Sequence, residues 1–317
     1  MLKYVIKRVL LMIPVLLGVV ILVFTILYFA PADAADVKLH GVGTAADLEK
    51  LREIMGLNRP YIVQLGDYLY RIFIKFDFGT SLITNANITK DIIQRFPNSL
   101  IIAIFSIICS MAVGIPLGIS CAVNQNKLSD TIGMIIALVG ISMPAFWFSL
   151  LCVILFAFTL KWLPAYGTGS VVYWILPLIS NSFHGVAAQA RQTRSAMLDV
   201  IHSDYIIMAR AKGVPEKQVI MQHALPNALI PVITTSGTAF GGMIAGGLII
   251  EIIFSIPGLG YYLVNGVNTR DTAVVLAGVT VVSVFFSIMM LLTDLAMAAV
   301  DPRIKAQFSG GGRKRGR

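Results

Sequence analysis

Apolar residues in this chain run in long blocks separated by short polar stretches, rather than in the stripes of soluble helices. The first block begins around Lys3, Lys7 and Arg8 and continues to about Ala30. A bilayer-spanning helix needs about 20 apolar residues, and the apolar core of a secretory signal has only about 7–15. The block is therefore read as a transmembrane helix, although Ala30-Pro31-Ala32 also has the small-residue spacing of a cleavage site. Five further blocks follow: Ser99–Val123, Thr131–Leu160, Trp174–Ala190, Leu229–Phe254 and Ala273–Val300. The third is broken at Ser142-Met143-Pro144 and is too short for two full spans, so it reads as one tilted, kinked helix. The fourth is interrupted by Asn181, Ser182, His184 and Gln189. The pattern predicts an all-α, polytopic membrane protein with six transmembrane helices.

Two polar regions carry structure of their own. Residues 31–98 form a long segment between the first two blocks. In it Thr44 and Asp47 are spaced as a capping box and Gly56 is placed to end the helix, with Leu48, Leu51 and Met55 on one face. A second amphipathic stretch, Ile62–Phe76, carries Leu65, Leu69, Ile72 and Phe76 and is expected at the membrane surface. The other region, Asp204–Ala228, reads as helix, tight turn, helix. Ser203 or Asp204 is placed to cap the first helix, Gly213 to end it in the left-handed conformation, Pro215 to open the second and Pro226 to stop it.

Composition sharpens this reading. Of 317 residues, 57% are hydrophobic and only 13% charged, against about 25% charged in a soluble domain. The formal charge of +9 comes from residues near the ends of apolar blocks, which fits membrane orientation rather than nucleic acid. Six spans with the N-terminus inside place 15 of the 25 lysines and arginines on the cytoplasmic side, with the 204–228 hairpin and the basic tail 301–317. The short outer loops hold only Lys161 and Arg270. Cys109, Cys121 and Cys152 lie within apolar runs without metal or redox spacing, and are read as small buried hydrophobes.

Candidate chemistry is sparse. No GxxxxGK[ST] loop, HExxH, EF-hand or GxSxG occurs, so any ATP-driven work would need an ATPase on another chain. His184 with Asn181 and Ser182 has two readings, a hydrogen bond between packed helices or the lining of a substrate path. Gly237 and Gly241 belong to a small-residue series that allows close helix approach, within this chain or against a second subunit. Glu251 near the end of its block is poorly placed for a proton relay. A stand-alone secondary transporter is the rival class, but it calls for inverted repeats with paired broken helices, and none is evident.

Several segments together resemble the permeases of bacterial ABC importers. Tyr4–Phe24, Leu51-Arg52-Glu53 with Gly56-Leu57-Asn58-Arg59-Pro60, and Asp77-Phe78-Gly79-Thr80-Ser81-Leu82 are similar to the first span and outer signatures of the B-type permeases of dipeptide, oligopeptide and nickel importers. So are Ser142–Phe146, Leu163–Gly167, Ala190–Met197, Glu251–Gly260 and Asp301-Pro302-Arg303-Ile304. Ala209-Arg210-Ala211-Lys212-Gly213, with Met221, Leu225 and Pro226 following, resembles the loop that docks on the ATPase. The literal Glu-Ala-Ala of that loop is replaced by Ala-Arg-Ala.

The resemblance implies the type I ABC importer permease fold and a division into four parts. Residues 1–30 are the cytoplasmic N-terminus and first span, 31–98 an extracytoplasmic segment, 99–300 the permease core with coupling loop 199–226, and 301–317 the cytoplasmic tail. It implies a non-enzymatic, pore-forming subunit in a bacterial cytoplasmic (inner) membrane, with both termini cytoplasmic, binding no cofactor itself. ATP and Mg would be used by two partner ATPases. A second, C-type permease subunit in a heterodimer, an extracytoplasmic solute-binding protein and the lipid bilayer complete the partners, with no nucleic acid. The implied cargo is di- or oligopeptide, or alternatively nickel or another small solute. The implied coupling residues are Tyr205, Ala209, Arg210, Ala211, Lys212, Gly213 and Pro226. The translocation path or gate would involve Asn181, Ser182, His184, Gly237, Gly241 and Glu251.

Overall fold

The structure, a computed structural model, describes residues 2–30, 34–39 and 44–300. The Asp301–Ile304 motif, the basic tail and His40 lie outside them. Every regular element described is helical, apart from one isolated bridge between Thr80 and Asn87. In order these are α1 (Leu2–Tyr28), α2 (Ala34–Leu39), α3 (Ala45–Met55), α4 (Tyr61–Phe73), α5 (Ile88–Val123), α6 (Leu128–Ser142) and α7 (Ala145–Cys152), which continues as π-helical Val153–Thr159. There follow α8 (Val172–Ile201), α9 (Asp204–Ala211), α10 (Glu216–Gln218), π-helical Val219–Ala224, α11 (Leu225–Ile253), α12 (Leu259–Asn268) and α13 (Thr272–Val300).

The six apolar blocks all appear as helices. Among the described residues α1, α5 and α13 are long and apolar enough to cross a membrane, and α6 with α7 makes a fourth candidate bent by 106°. That bend sits at Met143-Pro144, as the sequence predicts. Pro144 lacks the amide that would continue the ladder and disfavours helical backbone before it, and Met143 is extended with ψ 124°. α8 and α11, at 30 and 29 residues, also have the length of a span. Leu10, Leu22 and Ile26 of α1 are widely exposed, apolar exposure of the kind that lipid covers.

The chain forms two compact units. The first is built on Leu100–Ile256 and the last part of α13 from Ile288. In it α8 packs against α6, α7 and α11. One core gathers Met197, Ile201, Ile206, Val219, Ile220 and Val232; another gathers Ile102, Cys152, Leu176, Ile250, Phe254 and Ile256.

The second unit comprises Arg8–Ser99 and Pro257–Ser287. The capping box forms as read: Asp47 N–H donates to Thr44 Oγ1 and Thr44 N–H to Asp47 Oδ2, and Gly56 ends α3 at φ +70°. The 77–87 loop is pinned by Asp271, which accepts from Ser81 Oγ at 2.6 Å and Leu82 N–H at 3.1 Å, and caps α13 through Val274 N–H at 3.2 Å. A cavity of about 560 Å³ lies within this unit, with Phe24, Tyr28, Tyr68 and Leu276 on its walls.

Four expectations are corrected. The 62–76 helix ends at Phe73, and Phe76 is exposed with φ +52°, so it leaves the apolar face. The helix that holds the second apolar block begins at Ile88, ahead of Ser99, because Asn87 Oδ1 accepts from Lys90 N–H and starts it early. Ser203 does not cap α9; its hydroxyl donates to Val200 C=O at 2.6 Å. Pro226 does not stop a helix. The chain stays helical from Glu216 through the π-helical Val219–Ala224 into α11, and Pro226 stands just after that wider turn, where the α-helical ladder is already interrupted.

Candidate functional site

The 204–228 region is a helical arm followed by a turn that feeds straight into a long helix. α9 presents Ile206 inward, fully buried against Met197 and Ile201 at the end of α8 and against Val219, Ile220, Ala224 and Val232. Ala209 and Val214 pack at the margin of the same core. The turn is closed by Gly213 N–H donating to Arg210 C=O and Val214 N–H to Ala209 C=O. Gly213 sits at φ +79° with open space where a Cβ would be. Its need is for backbone freedom, not room.

Arg210 bridges the turn. Its Nη2 and Nε donate to the two oxygens of Glu216 at 2.7 and 3.1 Å. These bonds hold the Glu216 carboxyl below its ordinary range and raise the Arg210 guanidinium above its own. Because the folded state depresses Glu216, the stabilisation is present above the usual carboxylate range and is lost as pH falls through the folded pKa. The pair is substantially exposed, so Glu216→Gln is expected to cost under about 1 kcal/mol by thermal unfolding. Tyr205 OH accepts from Asn227 Nδ2 at 2.9 Å, tying α9 to the start of α11. Ala211, Lys212 and Pro226 are exposed, and so are Ile207, Met208 and Met221. The region thus has a buried apolar root and an outer surface mixing apolar and cationic side chains.

Asn181, Ser182 and Gln189 of α8 are buried and bonded to neighbouring helices. Asn181 Nδ2 donates to Ser106 Oγ at 3.0 Å, Ser110 Oγ donates to the Ser182 carbonyl at 3.0 Å, and Gln189 Nε2 donates to Ser236 Oγ at 2.6 Å. Such bonds join helices where no water is available to satisfy the groups. His184 is exposed on α8. A Cβ on Gly237 would overlap the Thr293 methyl, which makes that glycine a close contact between α11 and α13 of this chain. The surroundings of Gly241 lie outside the described side chains. Glu251 is buried two residues before α11 ends, and its carbonyl accepts from Ile256 N–H at 2.8 Å.

One pair escaped the sequence reading. Arg194 on α8 donates from Nε and Nη2 to both oxygens of Asp130 in the first turn of α6, at 2.6 and 2.7 Å, and Asn126 N–H donates to the same carboxylate. Asp130 is 3% exposed. Its signal was a carboxylate at the mouth of an apolar block, where a solvated loop residue looks the same.

Comparisons with known proteins agree along the whole chain. Residues 1–103 match the N-terminal family described as binding-protein-dependent transport system membrane component, and residues 114–306 match the binding-protein-dependent transport system inner membrane component. The chain is 38% identical to the glutathione transport system permease protein of Salmonella typhi over 305 residues, 96% of this chain and 99% of that protein. It is 39% identical to the dipeptide transport system permease protein of Alkalihalophilus pseudofirmus, over 96% of this chain and 100% of that protein. The fold is that of a solved structure titled as an inward-facing conformation of the MetNI methionine ABC transporter, with a TM-score of 0.55 at 14% identity over 66% of this chain and 96% of that one. With matches continuous from the first apolar helix into the last, the chain belongs to the binding-protein-dependent transport system inner membrane component family and is the permease subunit of an ABC importer.

Proposed function

We propose that this subunit carries short peptides across the inner membrane, with the 204–228 region as the point where energy enters. The observation that carries the reading is the rooted hairpin: Ile206 is buried against the ends of α8 and α11 while Tyr205, Ile207, Met208, Ala211 and Lys212 face outward. A push on such an outer surface moves the helices beneath it, because close-packed interiors transmit displacement rather than absorbing it. The outward surface faces the cytoplasm, with both termini on that side. It docks on one of two ATPase subunits, which use ATP and Mg. A second permease subunit of C type completes the path, and an extracytoplasmic solute-binding protein delivers the cargo. The dipeptide and glutathione relatives both handle short peptide chemistry, which favours peptides over nickel.

The test is uptake of labelled dipeptides by liposomes holding all subunits, with the ATPases pulled down through this chain. ATP-dependent uptake is expected. A chain that purifies without any ATPase would sink the reading. Within that assay, Ile206→Asp places an unpaired carboxylate in an apolar core. Uptake is expected to fall below detection with the ATPase no longer co-purifying, since burying an isolated charge costs several kcal/mol.

A further inference from the structure

We propose that the Asp130–Arg194 pair is a positioning link that carries the hairpin's displacement into the bent span formed by α6 and α7. The inference rests on the coupling role given above to the 204–228 region and extends it one step further into the fold. Arg194, Met197 and Ile201 recur at i, i+3 and i+7, so they lie along one side of α8. Met197 and Ile201 meet Ile206, Val219 and Ile220 of the hairpin. One turn earlier, Arg194 grips both oxygens of Asp130. The same side of α8 thus meets the hairpin at the helix end and the first turn of α6 one turn earlier.

From there α6 runs 15 residues, a rod of about 22 Å, to the break at Met143-Pro144. A second close contact lies near that far end, where a Cβ on Gly140 would come 2.9 Å from Ala187 Cβ of α8. Phe148 of α7 stacks on Phe183 of α8 at 3.9 Å between ring centres. These contacts set the spacing of the two helices. A bidentate arginine–carboxylate pair adds a directional tie, because its planar fork fixes both distance and orientation. The pair is what makes α6 follow α8, and the break is where the following motion changes the path.

The pair is a costly device for stability alone. Two charges taken from water regain little over an apolar pair of the same volume. A positioning role makes a distinct prediction. In liposomes with all subunits, uptake of labelled dipeptides per ATP hydrolysed is expected to fall about tenfold in Asp130→Asn and in Arg194→Met, within the range seen for coupling networks. Both singles leave one partner uncompensated, so folded yield falls as well. The double variant Asp130→Leu/Arg194→Met removes both charges and is expected to recover folded yield, yet to keep the low ratio of uptake to hydrolysis. An unchanged ratio in the single variants overturns the inference. A ratio restored in the double variant overturns it too, since packing alone would then suffice. Wild-type liposomes that show no ATP-dependent uptake would overturn the coupling reading beneath it, a result separable from normal coupling in wild type and variants alike.

Discussion

Replacing Gly213 by valine is expected to cut transport-linked ATP hydrolysis at least about fivefold while leaving the chain inserted in the membrane. The cause is backbone conformation. Gly213 sits at φ +79°, and no atom lies within 4 Å of the place its Cβ would occupy, so a side chain meets no wall. A β-branched residue held in the left-handed region costs about 1–3 kcal/mol, which shifts the population of the closed turn by roughly 5- to 150-fold. Opening the turn breaks the bonds from Gly213 and Val214 to Arg210 and Ala209 and separates Arg210 from Glu216. The outer surface of α9 then no longer has a fixed relation to its buried root at Ile206. Gly213→Asn separates conformation from side-chain bulk, because asparagine tolerates the left-handed region, and it is expected to couple near the wild-type level. The measurement is hydrolysis stimulated by the solute-binding protein in liposomes, with inserted protein quantified alongside. Full stimulation in the valine variant would remove the 212–214 turn from the coupling mechanism.

The features legible in the sequence were those written in local chemistry. The break at Met143-Pro144 follows from proline's missing amide, the α3 capping box from Thr44 and Asp47, and the left-handed turn from Gly213. Each needs only its neighbours. Boundaries set by tertiary packing were harder to see. Pro226 reads locally as a stop, yet the chain is helical on both sides of it, through the π-helical Val219–Ala224 before and α11 after, and Ala228 and Val232 hold it in the core beneath Ile206. Within α8 the polar residues announced an inward face. What they met did not: Ser106, Ser110 and Ser236 are single hydroxyls inside apolar blocks and look like any tolerated small residue. Asp130 and Arg194 lie 64 positions apart, and only the packing of α6 on α8 brings them together.

The same packing sets the largest expected stability effect. Gly118→Leu is expected to abolish the folded state. A Cβ there would lie 2.5 Å from the Ala190 carbonyl oxygen, 2.6 Å from Thr193 Cβ and 3.0 Å from the Arg194 amide nitrogen. Two of these three atoms are backbone of α8, so no rotamer change makes room and α5 must move away from α8 as a body. Overpacking usually costs about 1–3 kcal/mol where side chains can shift, and more where they cannot. Gly133 gives the intermediate case: its Cβ would come 2.6 Å from Cys121 Sγ, a side-chain atom able to rotate aside, so Gly133→Ala is expected to cost within that range. Gly66, on the exposed face of α4 with nothing within 4 Å, sets the other end, and Gly66→Ala is expected to gain about 0.5–1 kcal/mol from reduced backbone entropy. Thermal unfolding of the purified protein in detergent ranks the Gly133 and Gly66 variants, and loss of the folded, cooperatively melting fraction reads the Gly118 variant. A Gly118→Leu chain that melts with the wild type would mean that α5 and α8 do not approach at this point. Loss confined to that variant places the backbone contact directly beside Arg194, whose amide nitrogen forms part of the wall that Gly118 leaves clear.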